Sequence, residues 1–493
     1  MSLSLVLTLL GAIFLLLLFR YILTPLFLSP LAHIPAAHPT SVFTPLWISY
    51  HRRGGSQALP AITRAHSLYG PIIRLGPHEL SVRSQSAIHK VYIEKGGFAK
   101  PKFWADEFMS YGVRNMVSMQ GGIGSKEHAG RKRDLGNVYA KSVLLGSGVL
   151  SDVAARVLRG MDEVLERIVG EEDNADAEKT GSGVMEVYNF NGAVNADIAS
   201  SYIYGTDGRT NFVGDVAKRN EYFEHHGTWL KGKHGHAESQ KWLEEFGVQL
   251  CGPGVSALRD EEKGGADAVV YKQLHARGLR GNDMASETLD HFIAGAEAPR
   301  TTLTYLQWEL SRNPTRQARL RTELRTLPLD PTTDIPNLKA LDALPFLDAV
   351  LMETLRLYTP TPGPQHRITP PEGTTIHGIF IPGSTRISAS LAILHHNAEV
   401  FPEPGVWRPE RWGGGDKERE SLEEMRKWFW VFSKGSRGCI GKDFTVIVMK
   451  LIVAKMYSKY ETEVMEDGNM EQEDKFLAGP VGERLVLRFR AVK

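Results

Sequence analysis

The alternation of apolar and polar positions divides the 493-residue chain into an uninterrupted hydrophobic start and a long mixed body. Ser2 to Phe19 carries no charge, and the first charged side chain is Arg20. Wound as a helix, that run spans roughly 27 Å, close to the hydrocarbon thickness of a bilayer. No basic segment precedes it and no small-residue cleavage site follows it cleanly, so a retained anchor is expected rather than a cleaved signal peptide. Arg20, His33, Arg52 and Arg53 come after the span, which puts the body on the cytosolic side. Pro25, Pro30, Pro35 and Pro39 predict a stiff, non-helical hinge. The expected divisions are an anchor over 1–23, a hinge over 24–45 and a body over 46–493.

Within the body, Gln57 to Leu68 predicts a helix ended by Gly70-Pro71. Ile72–Leu75 and Glu79–Val82 flank Gly76-Pro77 and predict a hairpin. Ser125 to about Gly170 is helical in pattern, followed by a solvated acidic loop over Glu171 to Gly183. Gly205 to Gly281 is polar and glycine-punctuated and predicts mobile helices over a substrate entrance, without clear boundaries. Further helices are predicted over Ser286–Arg312 and Leu344–Tyr358, then broken strands over Thr375–Ser390. Helices come first, a small β region comes late, and no internal repeat exists. The expected fold is mainly α with small β-sheets, in a single large domain behind an N-terminal transmembrane helix.

Charge and cysteine content narrow the function. The 58 basic and 57 acidic residues give a net charge of +1, which offers nucleic acid no electrostatic footprint. Cys251 and Cys439 are too few for a disulfide framework. His225, His226, His234 and His236 cluster, but glycines interrupt them at no metal-ligand spacing, and a mobile surface loop is expected there.

The chemistry concentrates in Phe432 to Gly441 (FSKGSRGCIG). Cys439 sits in a glycine-rich loop, and the apolar run Phe444 to Met456 predicts a buried helix after it. The N–H groups at that helix start favour a thiolate, which is what a metal ligand must be. Upstream, Glu353 and Arg356 share a helix face, and Trp407 to Trp412 (WRPERW) supplies Arg411. In this order, with F-x-x-G-x-R-x-C-x-G matched at Phe432, Gly435, Arg437, Cys439 and Gly441, the chain resembles the cytochrome P-450 family. The phrases Gly136 to Ser142 (GNVYAKS) and WFWVFSKGSRGCIG look like its microsomal fungal members of secondary metabolism.

The resemblance implies haem b held by the thiolate of Cys439, with Phe432, Gly435 and Gly441 shaping the loop. It implies a buried charged network of Glu353, Arg356 and Arg411 behind the haem, and propionate partners in Arg437, Arg367, His128 and either Lys132 or Arg133. It also implies a monooxygenase fed by a separate NADPH-dependent reductase, acting on a hydrophobic small molecule such as a terpenoid or polyketide. Expected substrate contacts are Phe103, Phe108, Met116, Ala294, Ala298, Thr361 to Gln365 and Phe476 to Val481. One stretch departs from the family: where an acid is followed by two threonines, this chain reads Ala294-Gly295-Ala296-Glu297-Ala298-Pro299. Proline frees the carbonyl four residues back, that of Gly295, so a water held there and by Glu297 is expected to replace the missing hydroxyl. Thr301 and Thr302 lie one turn on. Two alternatives stay open: a haem-thiolate isomerase, dehydratase or coupling enzyme that needs no such threonine, and a haem-binding protein without turnover.

Overall fold

The structure, a computed structural model, describes residues 3–53, 58–170, 183–232, 235–259, 267–413 and 419–492. The core is built round one helix, Gly281–Ser311, whose side chains are buried along most of its length. It packs chiefly against Val187–Tyr204, itself buried from end to end. That partner helix starts where the Glu186 carboxylate accepts hydrogen bonds from the Tyr188 and Asn189 amides, satisfying N–H groups that a helix start leaves open. Between the two helices, Asn191 donates to Thr304 and Gln307 at 3.1 and 3.0 Å, and Gln307 donates back to Asn191, so these buried side chains are paired. The central helix also packs against Pro345–Leu357 and the cysteine helix, Lys442–Lys459. It runs unbroken through Pro299.

In chain order the strands are β1 (Ile72–Gly76), β2 (Glu79–Val82), β3 (Val184–Glu186), β4 (Arg367–Ile368), β5 (Thr374–Ile376), β6 (Ile379–Ile381), β7 (Arg386–Ser388), β8 (Tyr460–Glu466) and β9 (Val486–Ala491). A four-stranded sheet has the order β1-β2-β7-β4, with β2 and β7 parallel and the other pairs antiparallel. A second sheet is β3-β9-β8, and β5 pairs with β6 alone. The mainly helical fold with small sheets is the one expected, and the Gly76-Pro77 hairpin is present as β1 and β2.

Several boundaries differ from those expected. The helical stretch after Ser125 is three helices, Glu127–Leu135, Lys141–Gly146 and Gly148–Gly170. The acidic loop lies, over 171–182, outside the described residues, as does His234. The glycine-punctuated stretch forms long helices, Val216–Lys231 and His236–Arg259, and the shorter Val269–Ala276. His225 and His226 are therefore helical rather than in a surface loop. His226 is buried, and His225 stacks on Trp242 at 4.4 Å. Among the described residues no cluster could hold a metal ion.

The apolar start is a helix over Leu3–Leu18 that continues as a π-helical segment to Leu28, with no buried residue and long enough to cross a membrane. Pro25, expected in a non-helical hinge, lies inside that helical stretch. The following residues are tied to the body. Leu31 and Ile34 are buried beside the first sheet, and the Pro35 carbonyl accepts from the Arg74 amide at 2.8 Å.

His66 fastens the helix Ala58–Tyr69 to β2: it is fully buried, with Nδ1 on the Gly70 carbonyl and Nε2 on the Ser81 hydroxyl, both at 2.8 Å. Burial pushes its pKa down from 6.5 to about 4, against the Gly70 carbonyl and helped by Arg83. Between those values the unfolded chain binds a proton that the folded one refuses, so this contribution is complete above the unfolded pKa and shrinks as pH falls. A His66→Gln variant is expected to be less stable near neutral pH, and to lose less further stability on acidification than the parent. Urea unfolding across that window checks it.

Candidate active site

Cys439 and the central helix face each other across an internal cavity of about 380 Å³. The cysteine is positioned by its loop: its amide donates to the Phe432 carbonyl at 2.8 Å, and the cysteine helix begins three residues later. Gly435 takes φ +72° where a Cβ would press to 3.2 Å from the Tyr92 carbonyl oxygen, so the loop passes close only as glycine. The sulfur has a large accessible area, but that area opens onto the cavity and lies far from bulk solvent, and the depth governs its ionisation. Burial pushes the Cys439 thiol up, opposed by the Gly441 and Lys442 amides at the helix start and by the Lys132 ammonium.

Lys132 does not reach into the cavity as a free cation. Its ammonium donates to the carbonyls of Gly438 at 2.6 Å and Ser436 at 3.1 Å, clamping the cysteine loop. Arg133 is exposed and absent from the cavity wall. The residue that sequence reasoning missed is Lys100, which lines the cavity and donates to the Val117 carbonyl. In the sequence it is one of three neighbouring lysines, with Lys95 and Lys102, and nothing there singles it out.

Lys100, His128, Arg367 and Arg437 line one cavity within electrostatic reach of each other. Burial, then Arg367, pushes Arg437 down to about 10. Burial, then Arg437 and Lys100, pushes His128 down to about 3. Lys100 is held well below its ordinary value by burial and then by the two arginines. Arg437 donates from Nη1 to the Met119 carbonyl at 3.2 Å, while its buried Nη2 has no partner. Gly121, at φ +64°, makes room for it: a Cβ there would fall 1.5 Å from that Nη2. Crowded cations with an unspent donor fit a dianionic group, such as the two propionates of a haem, lying over Cys439.

Behind the cysteine loop, Glu353 and Arg356 have zero exposure. Arg356 donates bidentately to Glu353 at 2.9 and 2.8 Å, and Arg411 Nε adds a bond at 2.9 Å. Trp412 Nε1 and the Arg408 amide complete the acceptor sites, at 2.9 and 3.0 Å. Arg356 also donates to the His395 carbonyl at 2.9 Å, and His395 Nε2 accepts from the Trp430 amide at 3.0 Å. This chain of bonds leads from the network to the start of the cysteine loop.

On the opposite wall, Ala294, Gly295, Ala298 and Thr302 line the cavity, and Glu297 does not. Glu297 turns away, with its carboxylate 3.2 Å from Arg300 and 3.2 Å from His226 Nδ1. Thr302 donates to the Ala298 carbonyl at 3.1 Å. Of the expected substrate contacts, Phe108, Met116, Thr361, Gln365, Phe476 and Leu477 line the cavity. Phe103 does not: it is 53% exposed, and its neighbour Trp104 takes the wall position.

A cysteine three residues before a buried helix thus faces a largely apolar chamber with a cluster of basic side chains at one rim. A cytochrome P450 family model matches residues 255–485. Over 403 residues the chain is 28% identical to the cytochrome P450 monooxygenase avaI of Aspergillus versicolor, spanning 78% of this chain and 94% of that protein. It is 25% identical over 487 residues to the cytochrome P450 monooxygenase tazI of Aspergillus terreus, spanning 93% and 94%. Against hkm5 of Aspergillus hancockii, identity rises to 34% over 200 residues, covering 40% and 38%. The chain is similar to cytochrome P450 monooxygenases over most of its length, and these matches support an oxidoreductase that incorporates oxygen from dioxygen. The family binds haem b through a cysteine thiolate.

Two substitutions probe the cradle. Glu353→Gln leaves two buried guanidinium groups without their anion, a loss of about 3–5 kcal/mol for breaking a buried pair. The purified variant is expected to carry little haem per polypeptide and to unfold earlier. Gly121→Ala is expected to keep the fold but displace Arg437, giving faster haem loss to a haem-scavenging acceptor than the parent.

Proposed function

We propose that Cys439 is the axial thiolate of haem b, and that the chain hydroxylates a hydrophobic secondary-metabolite intermediate with electrons from a separate NADPH-dependent reductase. The observation that carries this is the pairing, across one cavity, of Cys439 with a rim of four basic side chains on one side and a largely apolar wall on the other. Arg437, Arg367, His128 and Lys100 would hold the propionates, with Lys132 holding the cysteine loop and Phe432, Gly435 and Gly441 giving it its shape. Thiolate-ligated haem supplies dioxygen activation by donating electron density toward O–O cleavage. The exposed apolar N-terminal helix supports anchoring in the endoplasmic reticulum membrane with the body in the cytosol, over the divisions 1–23, 24–45 and 46–493.

Proton delivery would depend on backbone rather than on a threonine. Pro299 leaves the Gly295 carbonyl without its intrahelical donor, and Gly295 lines the cavity. A water on that carbonyl, with the Thr302 hydroxyl one turn on, can hand a proton into the cavity beside Ala298. Glu297 would act behind it, its charge balanced by Arg300, with His226 Nδ1 3.2 Å away. The same arrangement favours a second reading, rearrangement or dehydration of a substrate peroxide, because neither the acid nor a hydroxyl at Ala298 faces the cavity.

Turnover separates the two. Product formation with NADPH and reductase, and little with a hydroperoxide substrate alone, is expected for the monooxygenase; the reverse supports the second reading. Restoring the hydroxyl with Ala298→Thr is expected to lower the peroxide released per product. Unchanged coupling would remove the water from the account.

A further inference from the structure

Tyr139 is a buried phenol in the cavity wall, set in the short connection between the helices Glu127–Leu135 and Lys141–Gly146. Its ring stands at right angles to Phe444 on the cysteine helix, with centroids 6.1 Å apart, and nearly parallel to His291 on the central helix at 5.5 Å. His291 and Phe444 line the same cavity, and the phenol is near enough to Cys439 for the sulfur's charge to act on it. The hydroxyl lies 2.9 Å from His291 Nδ1, and His291 Nε2 lies 3.5 Å from Glu287 Oε1. A carboxylate opposite Nε2 selects the tautomer with its hydrogen there, so Nδ1 accepts from the phenol. That Nε2 and that Glu287 oxygen are buried, and neither has a hydrogen-bond partner. The other Glu287 oxygen accepts from Arg131 and, at 3.2 Å, from the Met116 amide. Phenol, imidazole, carboxylate and guanidinium therefore stand in line, with one link unmade.

We propose that Tyr139 is a reversible one-electron donor to the haem, drawing off oxidising equivalents when no substrate consumes them. This rests on the reading of Cys439 as the haem ligand. Once a peroxide has oxidised the haem by two electrons, Tyr139 gives one electron back to it. Its O–H bond breaks, and the proton passes along the 2.9 Å hydrogen bond to His291 Nδ1. A neutral phenoxyl radical then sits beside an imidazolium, with the haem left one equivalent above its resting ferric state. The new positive charge draws Nε2–H and the waiting Glu287 oxygen into a charge-assisted pair, while Arg131 already balances the carboxylate. An electron from the reductase restores the phenol, and the proton returns. His291 and Glu287 are shut off from solvent, so the proton rocks within the line instead of escaping. Burial, then Tyr202 and Cys439, hold the phenol pKa well above its ordinary value, so the proton leaves only together with the electron.

The rival explanation is structural: the bond to His291 only ties the Tyr139 segment to the central helix. His291→Gln separates the two, since an amide oxygen can accept the same O–H bond but cannot hold the proton. The haem-loaded full chain, without substrate, would be mixed with a peracid, freeze-quenched and examined by electron paramagnetic resonance. A nitroso spin trap followed by peptide mass mapping locates the radical in the parent, and so needs no variant to fold. The parent is expected to show a tyrosyl radical with the trap on Tyr139. Tyr139→Phe is expected to lose most of that signal and His291→Gln to lower it several-fold, both with more haem bleached per peracid added. A parent without a tyrosyl radical, a trap found on another residue such as Tyr202 of the same wall, or a full signal in His291→Gln overturns the proposal. The carbon monoxide spectrum of the same samples reports thiolate ligation. A parent with the thiolate band but no radical overturns this inference alone, and one without the band overturns both.

Discussion

Glu353 keeps a carboxylate at zero exposure, and the structure around the site depends on its being saturated. Two guanidinium groups, an indole N–H and a backbone amide reach its two oxygens within 2.8 to 3.0 Å. A buried charge is tolerable only with such complete pairing, and losing one partner strands the others in a low-dielectric interior. The spare donors of the same arginines hold the carbonyls of His395, Pro402 and Pro404. Through His395 and the Trp430 amide, this order is passed to the loop that presents Cys439.

The cavity in front of that loop is organised by charge as much as by shape. Cations collect at one rim, where burial and mutual repulsion lower their pKa values, and an incoming dianion relieves both effects. Lys132, close to the sulfur, spends its ammonium on two loop carbonyls, so it steadies the cysteine and lowers its thiol pKa at once. On the opposite wall Glu297 is turned outward, folded back onto Arg300 and His226, while the small side chains of Ala294, Gly295 and Ala298 line the cavity.

Much of this was legible in the sequence, because the legible parts rest on local constraints. Five fixed positions from Phe432 to Gly441 encode a loop whose glycines permit close backbone approach, and Glu353 with Arg356 is fixed by helix spacing. What was not legible depends on long-range placement. His128 and Lys132 are four apart on one helix and both line the cavity, but Lys132 spends its ammonium on the cysteine loop some 300 positions away, which no periodicity reports. Lys100 is recognisable only once Arg367 and Arg437 stand beside it. Pro25 was expected in a non-helical hinge, but a π-helical segment absorbs it. The stretch from Gly205 to Gly281 hid long helices because their buried faces are short and aromatic, as in Tyr222, Phe223 and His226, rather than a regular aliphatic stripe.

The central claim is that Cys439 ligates the haem iron as a thiolate. The most direct test is the carbon monoxide difference spectrum of the dithionite-reduced full-length protein beside that of Cys439→Ser. The account predicts the long-wavelength Soret band of a thiolate-ligated haem in the parent and its absence in the variant. An identical spectrum in the two proteins, or a parent spectrum of the histidine-ligated type, would contradict it.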